Sequence, residues 1–442
     1  LREKPNVVVF MIDDLGYGDL ACHGNPHVKT PHLDAFAREA VEFTNFHVSP
    51  VCAPTRASVM TGRYNFRTGV ADVFGPASIM DAAEVTLAER LKAAGYATGI
   101  FGKWHLGDDD KHSPNAQGFD EALVHRGCAM NQYFNPTLLH NGVREKRTGY
   151  CMDIFTDEAS QFIQTHRSEP FFVYLPPNLI HTPLQVPPEL AAEFDDLGLS
   201  ASTRKIYGMI RSVDQNFGRL RDVLRELGLE ENTLLLVFSD NGPCSGSEPV
   251  DRHVAGLHGL KGTVYENGIR VPCFMRWPAG FSSTTKIARL TAHIDILPTV
   301  LQSCGVQVPD APPIDGISLL PLLRDPMSAW TENRTLFLQW DSGQVPRRGH
   351  AYTVLTERWK LVQPCGMDQP GQQHIRNRYA QLCRLQGRGE RSIDGPSRYE
   401  LYDILADPGE TRNLAAKHPE TVINLRRKYE AWFDEVTVRW DR

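Results

Sequence analysis

NVVVFMIDD, residues 6–14, is the stretch whose reading decides the fold. Its apolar residues run unbroken from Val7 to Ile12 and stop at two adjacent aspartates, Asp13 and Asp14. A strand with one wet face alternates apolar and polar residues. An unbroken run needs both faces covered, as in a parallel sheet between helices. The pattern returns three times. TLLLVFSDNG (233–242) ends in Asp240 and Asn241, YATGIFGKWHLG (96–107) in Lys103, Trp104 and His105, and PFFVYLPPNLIHTP (170–183) leads into His181. Between these runs TPHLDAFAREAVEF (30–43), TLAERLKAAG (86–95) and VDQNFGRLRDVLRELG (213–228) carry helical periodicity. Alternating strand and helix predicts an α/β fold: a large mixed, mostly parallel sheet sandwiched by helices. Ligands of such sheets gather at the carboxyl ends of the strands, where all four runs place charged or imidazole groups.

After Pro326 the texture changes. RTLFLQWD (334–341), GHAYTVLTERWKLVQP (349–364) and RYELYDILADPGETRNLA (398–415) read as short strands with turns. A closing helix is predicted over PETVINLRRKYEAWFDEV (419–436). The expected organisation is a larger N-terminal α/β domain over 1–325, which carries the strand-end residues, and a smaller C-terminal α+β domain over 326–442, built on a short antiparallel sheet. The polar, basic stretch from Gln363 to Arg398 is expected to be a long loop.

At 442 residues the chain is long enough for two cores. Its net charge of -6 argues against a nucleic-acid partner, which selects for a basic excess. No apolar run approaches the roughly 18–20 residues of a transmembrane span. No leader-like segment is legible before the first strand, as would also be so in a trimmed chain. The nine cysteines form no CxxC pair, so a zinc knuckle or thioredoxin motif is not expected.

Asp13, Asp14, Asp240 and Asn241 supply only oxygen donors, which suits calcium or magnesium better than zinc or copper. Either pair alone reads as strand-end capping. Lys103, His105, His181 and Lys261 make a cationic group if the strand ends converge, and one metal among basic side chains describes a pocket for a tetrahedral oxyanion ester. Singly, each has a bland reading as a surface lysine or a satisfied core histidine. The glycines of FGKWHLG (101–107) and HGLKGT (258–263) weaken it, because glycine lets backbone approach a ligand. Cys52, in SPVCAPTRASVMTG (49–62), is harder to place. It reads as a nucleophile with Ser49 and Ser58 as rivals, or as a buried structural thiol. Pro54 restrains the backbone beside it, and Arg56 sets a permanent charge one turn away.

The segment Cys52-Ala53-Pro54-Thr55-Arg56, continuing through ASVMTGRY, closely resembles the signature of the type I sulfatases of the alkaline phosphatase superfamily. PNVVVFMIDDLGYGDL, GKWHLG, SDNGP, LKGTVYENGIRVP and ELYDILADPGETRNLA follow in the family's order along nearly the whole chain. One departure is Asn267-Gly268, where many members have two glycines; it bears on the shape of the lysine segment and not on the reaction. The resemblance implies that Cys52 is oxidised to Cα-formylglycine by a formylglycine-generating enzyme that reads Pro54 and Arg56. It further implies that Asp13, Asp14, Asp240, Asn241 and residue 52 bind one calcium ion.

By the same resemblance, hydrated formylglycine is a geminal diol: one hydroxyl attacks sulfur and the other expels sulfate. Lys103 and Lys261 offset the sulfate charge, and Arg56 holds the diol. His105 is the candidate base, and His181, with Lys261, the candidate acid. The SDNGP variant is similar to arylsulfatase A-like and glycan sulfatases, so a sulfated carbohydrate is the expected substrate. Specificity is expected in the loop 125–150, the Gln339-Trp340-Asp341 turn and Arg347-Arg348. Trp340 reads equally as a sugar platform or as core packing. Family habit and the cysteine count imply a periplasmic or secreted protein. The sequence also admits two rivals: a phosphate mono- or diesterase of the same superfamily, and a non-catalytic binder of sulfated glycans with Cys52 unmodified.

Overall fold

The computed structural model describes residues 4–441 apart from 245–250, 282–283, 309–311, 332, 341 and 365–398. Asp341, Cys365, Cys383 and nearly all of the expected loop up to Arg398 therefore lie outside the described residues.

The four apolar runs form the adjacent centre of one ten-stranded sheet, in the order Thr233–Ser239, Asn6–Ile12, Phe171–Leu175, Ala97–Lys103. All three pairings among them are parallel. Outside this centre Glu121–His125 extends the parallel set beside Ala97–Lys103, and Thr137–His140 and Val143–Lys146 continue that flank antiparallel. On the other flank Cys273–Arg276 is antiparallel to both its neighbours, Thr233–Ser239 and Val41–Phe43, and Lys286–Ile287 pairs in parallel with Val41–Phe43 at the edge. The sheet is thus mixed and mostly parallel at its core, as expected. Side chains of the first strand alternate between its two faces. Val7, Val9 and Met11 belong to one apolar core with Ala53, Ala57 and Leu91, and Val8, Phe10 and Ile12 to a second with Phe36, Phe155 and Phe217. Helices therefore cover both faces, which explains why the run carries no polar residue until it leaves the sheet.

The C-terminal part is a four-stranded antiparallel sheet, Leu336–Gln339, Tyr352–Leu355, Trp359–Gln363 and Glu400–Asp403, covered by the helix Pro419–Val436. Tyr429 and Trp432 on that helix pack on Tyr352 and Phe337. The expected boundary at 325/326 falls between the helix Leu320–Arg324 and the first of these strands. The smaller core is shared, however: Tyr64, Phe66 and Tyr265 belong to it together with Leu338, Val354 and Trp432. Among the described residues no helix is long and apolar enough to cross a membrane.

A buried charge cluster joins the two parts. Lys360 Nζ lies 2.8 Å from Glu266 Oε1 and 2.9 Å from Glu410 Oε1, and all three side chains are inaccessible to solvent. Burial raises both carboxyls. Lys360 and His47 nevertheless hold Glu266 well below the usual range, while Glu410, beside the Glu266 charge, is pushed up to about 7. Removing one partner of a buried ion pair strands the other charge at a cost of about 3–5 kcal/mol. We expect Lys360→Met to lose stability on this scale in urea unfolding, and Lys360→Met/Glu266→Gln to recover part of it.

Candidate active site

The site is built where the four central strands end. Asp13 and Asp14 follow the first strand, Asp240 and Asn241 follow Ser239, and Lys103 is the last residue of its own strand. Cys52 opens the helix Cys52–Thr61 and is 2 % exposed. This local fold accounts for the spacing of its motif. Pro54 lies in the first turn, where the missing N–H costs no helical bond, and Arg56 stands one turn after Cys52 on the same face.

Arg56 ties the pieces together. Its Nε and Nη2 donate to Asp240 Oδ2 at 3.2 and 2.6 Å, and its Nη1 donates to the Lys103 carbonyl at 2.8 Å. Lys103 Nζ donates to Asp13 Oδ2 at 2.7 Å, and Lys261 Nζ to Asp14 Oδ1 at 2.5 Å. Asn241 Nδ2 donates to the same Asp14 oxygen at 2.7 Å. Asp14 itself adopts a left-handed backbone, φ 63°, which brings its N–H to Asp240 Oδ1 at 3.2 Å. Burial opposes ionisation of Asp13, yet Lys103, His181 and Arg56 hold its carboxyl well below the usual range. Asp240, loaded by burial and by the Asp13 charge, is pushed up to about 7. Burial works against the charge on Lys261, but Asp14 and the Cys52 sulfur keep it well above its ordinary value.

Three oxygens here are buried and have no hydrogen-bond partner: Asp13 Oδ1, Asp14 Oδ2 and Asn241 Oδ1. Leaving such acceptors unpaired costs about 1–3 kcal/mol each, more for a carboxylate. An all-oxygen, net negative set with bare lone pairs fits a hard divalent cation. His181 also comes close, since one ligand atom from each of Asp13, Asp14 and His181 lies within 4.8 Å of the others.

The histidines are set by their backbone partners. His105, at φ 61°, has Nε2 2.9 Å from the Val73 carbonyl, so this nitrogen carries the proton and donates. Its buried Nδ1 has no partner. Burial, then Lys103, pushes this imidazole well below its usual value, which keeps the ring neutral and Nδ1 an acceptor. His181 Nδ1 donates to the Thr182 carbonyl at 2.7 Å, and burial with Lys261 and Lys103 lowers it to about 4. In that state Nε2 is a lone pair, so His181 becomes an acid only after taking up a proton.

Sequence reasoning did not assign His125, which ends the strand Glu121–His125 beside Lys103 and is lowered to about 3 by burial and Lys103. An apolar strand ending in a polar residue was again the signal. It also missed Arg252, whose Nε donates to Asp19 Oδ1 at 2.7 Å and whose Nη2 donates to the Asp14 carbonyl at 2.7 Å, bracing the aspartate loop. Beside His105 a cleft of about 490 Å³ opens, lined by Phe74, Asp108, Arg126 and Cys128 among others. Trp340 is buried and bonded to Asp72, so its part is packing rather than a sugar platform. Arg348 is engaged by Asp434 and lies over Phe433. Asn267 Nδ2 donates to the Gly259 carbonyl at 2.9 Å, so the departing residue braces the Lys261 segment.

Fold and site together define an α/β protein whose central strand ends gather carboxylates, two lysines and an arginine in one buried cluster. Comparison with known proteins makes the class specific. The sulfatase family model matches residues 5–306, and that of the N-sulphoglucosamine sulphohydrolase C-terminal region matches 256–369. The chain is 30 % identical to human arylsulfatase A, over 97 % of this chain and 87 % of that one. It is 29 % identical to an N-acetylgalactosamine-6-O-sulfatase of Bacteroides thetaiotaomicron, over 97 % and 93 %. Among solved structures, Ps i-CgsB in complex with k-i-k-neocarrahexaose superposes with a TM-score of 0.83 at 25 % identity, covering 97 % of this chain and 93 % of that one. The protein belongs to the sulfatase family and is a sulfuric ester hydrolase.

The bare oxygens generate a prediction that needs no turnover. A ligand at a hundredfold excess over its Kd stabilises the fold by about 2.7 kcal/mol. Calcium should therefore raise the Tm of the wild-type chain, and Asp14→Asn should abolish most of that rise. Asparagine tolerates the left-handed backbone at this position, so the variant should still fold.

Proposed function

We propose that this protein hydrolyses sulfate monoesters of a carbohydrate through a formylglycine made from Cys52, with one calcium ion held by Asp13, Asp14, Asp240 and Asn241. The observation that carries this reading is the position of Cys52. It lies at a helix N-terminus, one turn before the Arg56 that binds Asp240 and the Lys103 carbonyl, in a centre whose Asp13, Asp14 and Asn241 oxygens lack partners. The relatives that act on N-acetylgalactosamine 6-sulfates, and the neighbour solved with a neocarrahexaose, support a sugar as the esterified alcohol.

The residues divide the work by charge and tautomer. Hydrated formylglycine supplies two hydroxyls on one carbon, one to take the sulfuryl group and one to release it, and calcium supplies positive charge to the sulfate oxygens. Lys103 and Lys261 add to that charge where it is needed as the S–O bond breaks. Arg56 keeps residue 52 and Asp240 in register. His105 Nδ1 accepts the proton of the second hydroxyl as sulfate leaves. The departing alkoxide takes its proton from Lys261 or from a protonated His181. Because Cys52 is buried in the folded chain, the formylglycine-generating enzyme has to read its segment before this helix closes.

Co-expressed with that enzyme, the protein should release inorganic sulfate from 4-nitrophenyl sulfate and, more selectively, from members of a sulfated-sugar panel. Cys52→Ser offers a single hydroxyl. It should accept the sulfuryl group and retain it, giving a sulfated peptide by mass spectrometry and a loss of turnover of about 10³-fold or more. Phosphate-ester turnover exceeding that of every sulfate ester would overturn the proposal.

A further inference from the structure

The buried contacts behind His105 carry an inference that rests on its role as base in the proposed reaction. The useful face of His105, Nδ1, exists only while Nε2 donates to the Val73 carbonyl at 2.9 Å. Val73 belongs to neither helix nor strand, so its carbonyl has to be held by other contacts. Asp72, the residue before it, is 3 % exposed and fixes the peptide that leads into this carbonyl. Asp72 Oδ1 accepts the Val73 N–H at 2.7 Å and the indole Nε1–H of Trp340 at 3.0 Å, and Oδ2 accepts the Gly343 N–H at 2.8 Å. Two of these three donors come from the C-terminal part of the chain, just past the strand Leu336–Gln339.

The same indole reaches the other side of the site. Gly262, at φ +83°, has no room for a side chain, because a Cβ there would stand 2.8 Å from Trp340 Cζ3. The turn at this glycine is bonded into the centre. Lys261 N–H donates to the Pro243 carbonyl at 3.0 Å, and Gly262 N–H donates to the Pro50 carbonyl, two residues before Cys52, at 2.8 Å. One carboxylate and one indole thus stand behind both His105 and the Lys261 turn.

We propose that Asp72 and Trp340 are positioning residues of the reaction: through their mutual hydrogen bond the C-terminal sheet holds the carbonyl that orients His105 and the turn that presents Lys261. Neither touches the reacting atoms. The C-terminal part therefore completes the active site rather than merely lying beside it.

The test uses the full-length chain carrying formylglycine, with 4-nitrophenyl sulfate as probe and three variants: Asp72→Ala, Asp72→Asn and Trp340→Phe. Misplacement of a catalytic group by about 1 Å costs on the order of 10²-fold. For Asp72→Ala and Trp340→Phe we expect kcat to fall by about tenfold to a hundredfold, with KM little changed. Asp72→Asn, which keeps one acceptor oxygen, should recover part of the loss. Asp72→Ala combined with Trp340→Phe should be no worse than the poorer single variant, since the bond that Trp340→Phe breaks is already among those lost in Asp72→Ala.

A second readout does not depend on turnover. In nitrogen-15 spectra of histidine-labelled protein at pH 8, with His105 assigned by loss of its signals in His105→Gln, the wild type should show one neutral tautomer, protonated at Nε2. The Asp72→Ala and Trp340→Phe variants should show a mixture. Unchanged kcat and an unchanged tautomer in folded variants would overturn the proposal, and so would independent, additive losses. A wild-type chain that carries the aldehyde yet turns over no sulfate ester would instead sink the sulfatase mechanism, with the tautomer measurement still deciding the positioning claim.

Discussion

The contact on which the rest of the centre depends is that of Arg56 with Asp240. One guanidinium, wholly buried, reaches from the helix that begins at Cys52 to the end of one central strand, and through the Lys103 carbonyl to another. A buried cation of this kind is tolerable only among fixed anions and dipoles. Here those are Asp240, Asp13 and the strand-end carbonyl. The geometry that stabilises the charge thereby sets the distance between residue 52, the two aspartates and Lys103. Function and burial ask for the same arrangement, which is why so many charges coexist where four apolar strands stop.

The alternation of the first strand explains how such a centre can be stable. Its two faces are consumed by two separate apolar cores, and only its end is left to carry polarity. A parallel arrangement collects all of these ends on one edge, so residues distant in sequence meet there. The partnerless oxygens of Asp13, Asp14 and Asn241 are the residual cost of that crowding, and a divalent cation is the simplest way to offset it.

Much of this was legible in the sequence because the signals are local. Unbroken apolar runs mark strands covered on both faces, and the residues that end them mark the site. Cys52, Pro54 and Arg56 keep helical spacing, so one short segment shows both its structure and its chemistry. What the sequence hid depends on pairs distant along the chain. Asp72 and Trp340 lie 268 positions apart, and neither stands in a pattern that points to the other. Tyr64 and Phe66 join the core of the C-terminal sheet although the chain places them next to the helix that begins at Cys52. His125 ended its strand as the assigned residues did, but its run is short and was read as the start of a loop. The tautomers of His105 and His181 follow from backbone carbonyls that no side-chain pattern encodes.

The central claim is that residue 52 is not a cysteine in the mature enzyme, and it is tested most directly by the mass of the peptide that contains it. In protein co-expressed with the formylglycine-generating enzyme, the account predicts a residue lighter than cysteine that forms a hydrazone. An intact thiol at position 52 in that preparation, together with undiminished release of sulfate, would contradict it.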